Sequence, residues 1–268
     1  MSAQQAAERE DEVKRIAVIT GASSGMGKEF VSRIMKDGIK YREIWLIARR
    51  EERLEEIRKK YRRQRFRLLP LDLADRSQID LLAEVLQEKQ PQIGLFVHCA
   101  GFGVMGEIES LPREDQADMV DINCRSVVEL TSLLLPYMAS TGGRMIYMAS
   151  ASAFLPQPGF AVYAASKAFV LSFVRSLRAE QRGTSLRITA VCPGAVKTEF
   201  FDRALEYKDL PAYKKLVMAD PGRVVKKALL DNRRDREISV YGLPIRCTRL
   251  LAKLLPHRLF LYFMGGKN

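Results

Sequence analysis

Seven short runs with apolar centres, separated by longer stretches of helical period, limit this chain's fold more than any other feature. The runs are RIAVITG (15–21), EIWLIA (43–48), RFRLLPLDL (65–73), IGLFVHCAG (93–101), GRMIYMAS (143–150), LRITAVCPG (186–194) and EISVYG (237–242). Helical stretches fall near 25–38, 51–63, 75–90, 112–139, 160–181 and 220–231. Strands apolar on both faces need cover on both faces, so the pattern predicts an α/β fold with a parallel, doubly wound sheet and helices on each side. At 268 residues one domain suffices. The expected division is a polar extension at 1–12, the α/β domain at 13–243 and a basic amphipathic tail at 244–268.

Composition narrows the function classes. The start, MSAQQAAEREDEVKR, is polar and lacks the apolar core of a secretory signal, and no window approaches an uninterrupted membrane span; a cytoplasmic protein is expected. Cys99, Cys124, Cys192 and Cys247 are scattered without a C-x-x-C, and their apolar contexts point to reduced, buried thiols. With His98 and His257 the only histidines, no metal is expected. The net charge of +12 raises nucleic acid as a partner, but it is concentrated in two regions. Residues 49–67 hold ten Arg/Lys against four Glu, and residues 223–267 hold eleven against three acids. The first reads as an amphipathic helix whose acid-to-base spacings of four mark a solvated face, so no nucleic acid is expected.

Ligands of such sheets sit beyond the carboxyl ends of the strands, and the informative residues follow the strands. After the first comes TGASSGMGKEF, with Gly21, Gly25 and Gly27 spaced to turn the backbone into a helix whose first N–H groups, around Ser23, Ser24 and Met26, face a pyrophosphate. The second run ends LIARR. An acid there would bond a ribose 2′-hydroxyl; Ala48 and Arg49 stand in its place, and Arg pairs with a 2′-phosphate, so NADP(H) is expected as cofactor. Asp72, followed by Leu73, either accepts from an adenine amine or caps the next helix. Tyr163 and Lys167, in YAASKAF, lie one helical turn apart and so can act on one object.

These residues resemble the short-chain dehydrogenase/reductase family. The pattern is matched in order across about residues 15–242: Thr20 to Gly27, Asp72, Ala100-Gly101, Asn123, Ser150, Tyr163 and Lys167, Pro193-Gly194 and Thr198. The resemblance implies a single-domain Rossmann-type fold and an NADP(H)-dependent interconversion of a ketone and a secondary alcohol. The branches that look most alike act on 17β-hydroxysteroids and 3-oxoacyl compounds. It also implies a homodimer or homotetramer paired through the helices near 112–139 and 160–181.

Carbonyl reduction by hydride needs a proton delivered to the developing alkoxide. The resemblance assigns that to Tyr163 as general acid or base, and a cation one turn away is expected to favour its phenolate. It assigns Lys167 to the nicotinamide ribose, Ser150 to the carbonyl oxygen, Asn123 to a helix kink and a proton path, and Thr198, beside Val196, to the nicotinamide carboxamide. Plainer readings stay open: Ser152 competes with Ser150, Asn123 bonds only backbone, Thr198 caps a helix. One departure is HCAG at 98–101, where relatives carry Asn; His98 and Cys99 are expected to weaken local bonds, with His98 a satisfied strand-end residue and not a catalyst.

Phe102, Val104, Met105, Phe154, Leu155, Phe160, Phe200 and Phe201 make the loops beyond the strands apolar, which suits a small lipophilic carbonyl substrate or simply packs a lid. The tail, mixing Leu and Phe with Arg and Lys, either contacts a membrane surface, covers a neighbouring subunit or closes the cleft. Two rivals to a hydroxysteroid dehydrogenase or 3-oxoacyl reductase remain: a nucleotide-binding regulator without turnover, and a basic binding module.

Overall fold

The computed structural model describes residues 14–139, 142–207 and 218–264; the polar extension expected at 1–12 and the last four residues of the tail lie outside them. Strands β1 (Ile16–Thr20), β2 (Glu43–Ile47), β3 (Phe66–Leu69), β4 (Ile93–His98), β5 (Arg144–Met148), β6 (Arg187–Val191) and β7 (Ile238–Ser239) form one sheet. Their order is 3-2-1-4-5-6-7 and every neighbouring pair is parallel. All seven predicted runs become strands. The third stops at Leu69 because Pro70 brings no N–H to the ladder.

Alternation along each strand splits the core in two. Ile16 and Val18 of β1, with Trp45 and Ile47 of β2, face one apolar cluster; Ala17 and Ile19, with Ile44 and Leu46, face the other. The first lies under α3 (Arg76–Lys89), α5 (Ser126–Leu134) and α7 (Ala161–Glu180). The second lies under α1 (Gly25–Lys36), α2 (Glu51–Lys60) and α9 (Pro221–Arg233), where Phe30, Leu54 and Val225 are fully buried. Each such side chain contributes about 1.5–3 kcal/mol relative to exposure. On α2 the opposite face is solvated and laced by Arg58–Glu55 at 2.7 Å and Arg53–Glu56 at 3.9 Å.

The long helix expected over 112–139 is broken. It runs as α4 (Arg113–Val120), a π-helical turn (Asp121–Arg125), α5 and a last turn α6 (Pro136–Ala139). The widened turn places Asn123, fully buried, behind the carboxyl end of β4. Beyond β6 come α8 (Phe200–Ala204) and, after β7, α10 (Leu243–Leu254) and α11 (His257–Met264), divided at Pro256. The tail is therefore helical through Met264, the last described residue, apart from the junction at Pro256.

The strand order reverses between β1 and β4. β1 runs outward to β3 on one side, and the chain then returns to β4 on the other, which opens a crevice at their carboxyl ends.

Candidate active site

A cleft of about 1070 Å³ occupies that crevice. Its floor is the turn after β1, where crowding excludes side chains. A Cβ on Gly21, whose φ is +64°, would stand 2.8 Å from the Ala100 amide, and one on Gly27 would overlap the Gly21 carbonyl. Thr20 ties this turn to β4: its hydroxyl accepts from the Cys99 amide at 3.1 Å and the Ala100 amide at 3.0 Å. Within HCAG, the Cys99 and Ala100 amides are thus both taken by a hydroxyl on β1. α1 opens at Ser24 without a side-chain cap, whereas Asp75 caps α3 and Asp220 caps α9. Its first N–H groups and positive end face the cleft.

At the end of β2 the cleft wall is basic. Arg49 is 65% exposed and 3.7 Å from Asp72, and Arg50 reaches Glu199 at 3.1 Å and Ser23 at 3.5 Å. Sequence reading placed Arg50 only at the head of a basic helix; its side chain turns into the cleft across 149 residues of separation, which no local pattern signals. Asp72 does not cap a helix: its carboxylate accepts from the Ala74 amide at 3.0 Å, and Asp75 is the cap. Thr198 likewise caps nothing; its hydroxyl donates to the Val196 carbonyl at 3.4 Å and α8 begins after Glu199. Leu73, Gly101, Pro193 and Gly194 complete this part of the lining.

The other wall carries the polar pair. Tyr163 and Lys167, buried on α7, meet Ser150 at the end of β5. The Ser150 side chain acts on the Tyr163 phenol, lowering its pKa, while its oxygen accepts from the Ser152 amide at 3.1 Å. Ser152 instead donates to Gln157 Oε1 at 3.4 Å, so Ser150 is the serine that acts on Tyr163 in this geometry. Lys167 Nζ donates to the Met148 carbonyl at 3.1 Å and lies 5.6 Å from the centre of the Tyr163 ring. Asn123 stands one layer behind: its amide donates to the Phe102 carbonyl at 2.8 Å and Ser166 Oγ at 3.0 Å, and its oxygen accepts from the Phe102 amide at 3.1 Å. Gly101 leaves room for this, since a Cβ there would be 2.7 Å from Asn123 Oδ1 and 3.1 Å from Lys167 Nζ.

Burial governs the charges. It pushes Tyr163 up to about 12, against the smaller lowering effect of the Ser150 hydrogen bond, so the expected drive toward phenolate is reversed. It pulls Lys167 down to about 8. His98 is held near 3, by burial first and the Lys167 charge second. It is a neutral residue packed on Tyr147, with Nε2 3.4 Å from Ser126 Oγ. Cys192 is buried and pushed up to about 12, whereas Cys247 is exposed, contrary to the expectation that every thiol is buried.

Above this pair sits a third apolar cluster. Phe160 stacks on Tyr163 at 4.2 Å between ring centres, and Phe200 lies at 5.4 Å. Phe102, Met105, Leu155 and Phe201 also line the cleft, but Val104 and Phe154 do not. Val104 is buried against Met119, and Phe154 packs on the main core. Tyr241 enters from beyond β7, and Ile245 and Thr248 of the tail also line the cleft, in keeping with the reading in which the tail closes it.

A nucleotide-sized cleft at a switch point, with a glycine floor and a buried Ser-Tyr-Lys group, defines an oxidoreductase of the dinucleotide type. The chain belongs to the short-chain dehydrogenase family, whose model matches residues 15–208. Sulfoacetaldehyde reductase 2 of Chromohalobacter salexigens is 33% identical over 189 residues, 69% of this chain and 74% of that one. A short-chain dehydrogenase of Sphingobium yanoikuyae, solved in complex with NADPH, superposes with a TM-score of 0.77 at 25% identity, over 92% of this chain and 95% of the other. A Burkholderia phymatum member in complex with NAD has the same fold at 21% identity and a TM-score of 0.77, over 90% and 93% of the two chains.

Proposed function

We propose that the protein is an NADP(H)-dependent reductase of lipophilic ketones, and its reverse, a dehydrogenase of the matching secondary alcohols. The observation that carries the reaction type is the Ser150, Tyr163 and Lys167 group at the wall of an apolar cleft. The glycine turn and the uncapped start of α1 fit a pyrophosphate, and Arg49 with Arg50, in place of an acid after β2, fit a 2′-phosphate. A bound nicotinamide supplies the hydride, or takes it in the reverse direction.

The chain's own part is the proton. With its phenol held neutral, Tyr163 donates O–H to the substrate oxygen as negative charge develops there, while Ser150 holds that oxygen in line. Lys167, fixed by the Met148 carbonyl, places a cation beside the phenolate left behind and stabilises it until a proton returns. Asn123 orients the Phe102 backbone and Ser166, and so holds the wall against which Tyr163 is set. Phe102, Phe160, Phe200 and Phe201 keep water from the reacting carbon and favour an apolar body, such as a steroid or an acyl chain. Val120, Val128 and Phe169 are exposed on α4, α5 and α7, and we read these helices as pairing with a second copy, to be checked by light scattering.

The deciding experiment is thermal shift with NADPH and NADH for wild type and Arg49→Ala. A salt-bridged phosphate is worth about 1.5–3 kcal/mol, so NADPH affinity should fall by roughly ten- to a hundredfold in the variant while NADH affinity stays unchanged. If neither nucleotide raises the melting temperature, the enzyme reading fails. A panel of ketosteroids and 3-oxoacyl compounds with NADPH then tests the substrate class, and no turnover on any of them would reject it.

A further inference from the structure

The outward face of α10 is an apolar stripe that stands exposed among the described residues. Leu243, Cys247, Leu250 and Leu254, at spacings of four, three and four, all point to solvent; the leucines are 71%, 58% and 69% exposed. Leu251, Leu255, Leu259 and Tyr262 widen the patch through the start of α11. Arg246 and Lys253 flank it, and both are exposed, as is Arg258. No Asp or Glu occurs from residue 238 to residue 268. The acids just before that stretch are already paired: Asp231 with Lys227 at 2.8 Å, Asp235 with Arg178 at 2.6 Å and Glu237 with Arg175 at 2.7 Å.

The inner face of the same helix belongs to the catalytic cleft. Ile245 and Thr248 line it, and Ile245 closes on Gly194, where a Cβ would be 2.7 Å from its terminal carbon. Behind α11 lies a second, apolar cavity of about 490 Å³, lined by His257 and Leu261 with Phe154 and Pro156. Ser152, Leu155 and Gln157 form part of both cavities. One element thus shows leucines and cations to the outside while walling the cleft on the inside.

We infer that α10 and α11 are a docking surface for an anionic lipid bilayer, which sets the cleft against the membrane. Charge selects this occupant. Two copies meeting through this face would bring their Arg246 and Lys253 side chains together with no acid from the segment to offset them. A layer of anionic headgroups over acyl chains meets both the cations and the leucines. Docking stands whatever the substrate is; delivery of a lipophilic ketone from that bilayer rests on the reading proposed above.

The test is co-sedimentation of the full chain with phosphatidylcholine vesicles, with and without phosphatidylserine, which uses no turnover and so is independent of the cofactor and substrate assignments. Sedimentation should require phosphatidylserine and be lost at about 1 M salt. Lys253→Glu should weaken it by roughly tenfold or more, since each basic residue contributes about fivefold at such a surface. The double change Leu250→Ser with Leu254→Ser should weaken it by more than about tenfold. Both variants should keep the wild-type melting temperature, because the altered side chains are exposed. No sedimentation with either vesicle overturns the inference, as does equal sedimentation with both that Lys253→Glu leaves unchanged. A wild-type dimer that the leucine pair dissolves, with no vesicle binding, assigns the face to a second copy instead.

Discussion

The two ends of the cleft are built on opposite principles. Around the turn after β1, geometry comes from what is missing: Gly21 and Gly27 let backbone lie on backbone, and a single added carbon at Gly27 meets the Gly21 carbonyl. Around Tyr163 it comes from what is buried: a phenol, an ammonium, an amide and two hydroxyls are enclosed and hydrogen-bonded, and burial sets which of them carries charge. One end is broken by adding atoms and tolerates no shift in the backbone. The other is broken by removing one polar atom and responds to pH.

The largest effect expected falls on the polar end. Tyr163→Phe deletes one oxygen and keeps the ring against Phe160, so packing survives while the proton donor goes. Loss of a general acid costs about 10²–10⁴ in rate. Turnover should drop by that factor with NADPH binding within about threefold of wild type; a variant that keeps turnover would remove Tyr163 from the reaction. At the glycine end, Gly27→Ala should do the reverse. Overpacking of about 1–3 kcal/mol must displace the turn, so the melting temperature and the NADPH-induced shift should both fall.

The contrast also explains what could be read from sequence. Parallel strands are buried on both faces, so β1, β2 and β4 appear as unbroken apolar runs, and the glycine turn declares itself by position directly after the first. The break at Asn123 was expected from the family resemblance and not from periodicity, and the Phe102 and Ser166 bonds show what holds it. Arg50 and Ile245 reach the cleft through contacts far apart in the chain, and no local signal marks them. Tyr163 shows the limit most clearly. Its four-residue spacing from Lys167 was legible, but the sign of its shift was not, since burial depends on Phe160, Phe200 and the loops that fold over it.

A smaller effect follows from Lys167. Its ammonium form is present below about 8 and is lost as pH rises through that value, while Tyr163, near 12, remains neutral throughout. Reduction that needs both a neutral phenol and a cation should therefore be level from neutral pH to about 8, then fall toward tenfold per pH unit. The profile of kcat/KM for the ketone checks this. An unchanged rate two pH units higher would show that the cation is not used.

The smallest effect concerns His98, which borders both ends, since it pairs with Thr20 across the sheet and packs on Tyr147. Its folded value near 3 lies below the ordinary histidine value of 6.5, so between those limits the unfolded chain binds more protons. Stability attributable to His98 is present above 6.5 and is lost as pH falls toward 3. The slope is at most about 1.4 kcal/mol per pH unit, or roughly 2 kcal/mol between pH 6.5 and 5. Urea unfolding of wild type and His98→Asn across that range isolates the term, because carboxylates common to both cancel in the difference of slopes. His98→Asn will start from a lower stability through lost packing, yet its acid decline should be shallower by about that amount. Equal slopes would mean that the ring keeps its proton when the chain folds, and that burial governs the charges near Lys167 less than the comparison of the two ends requires.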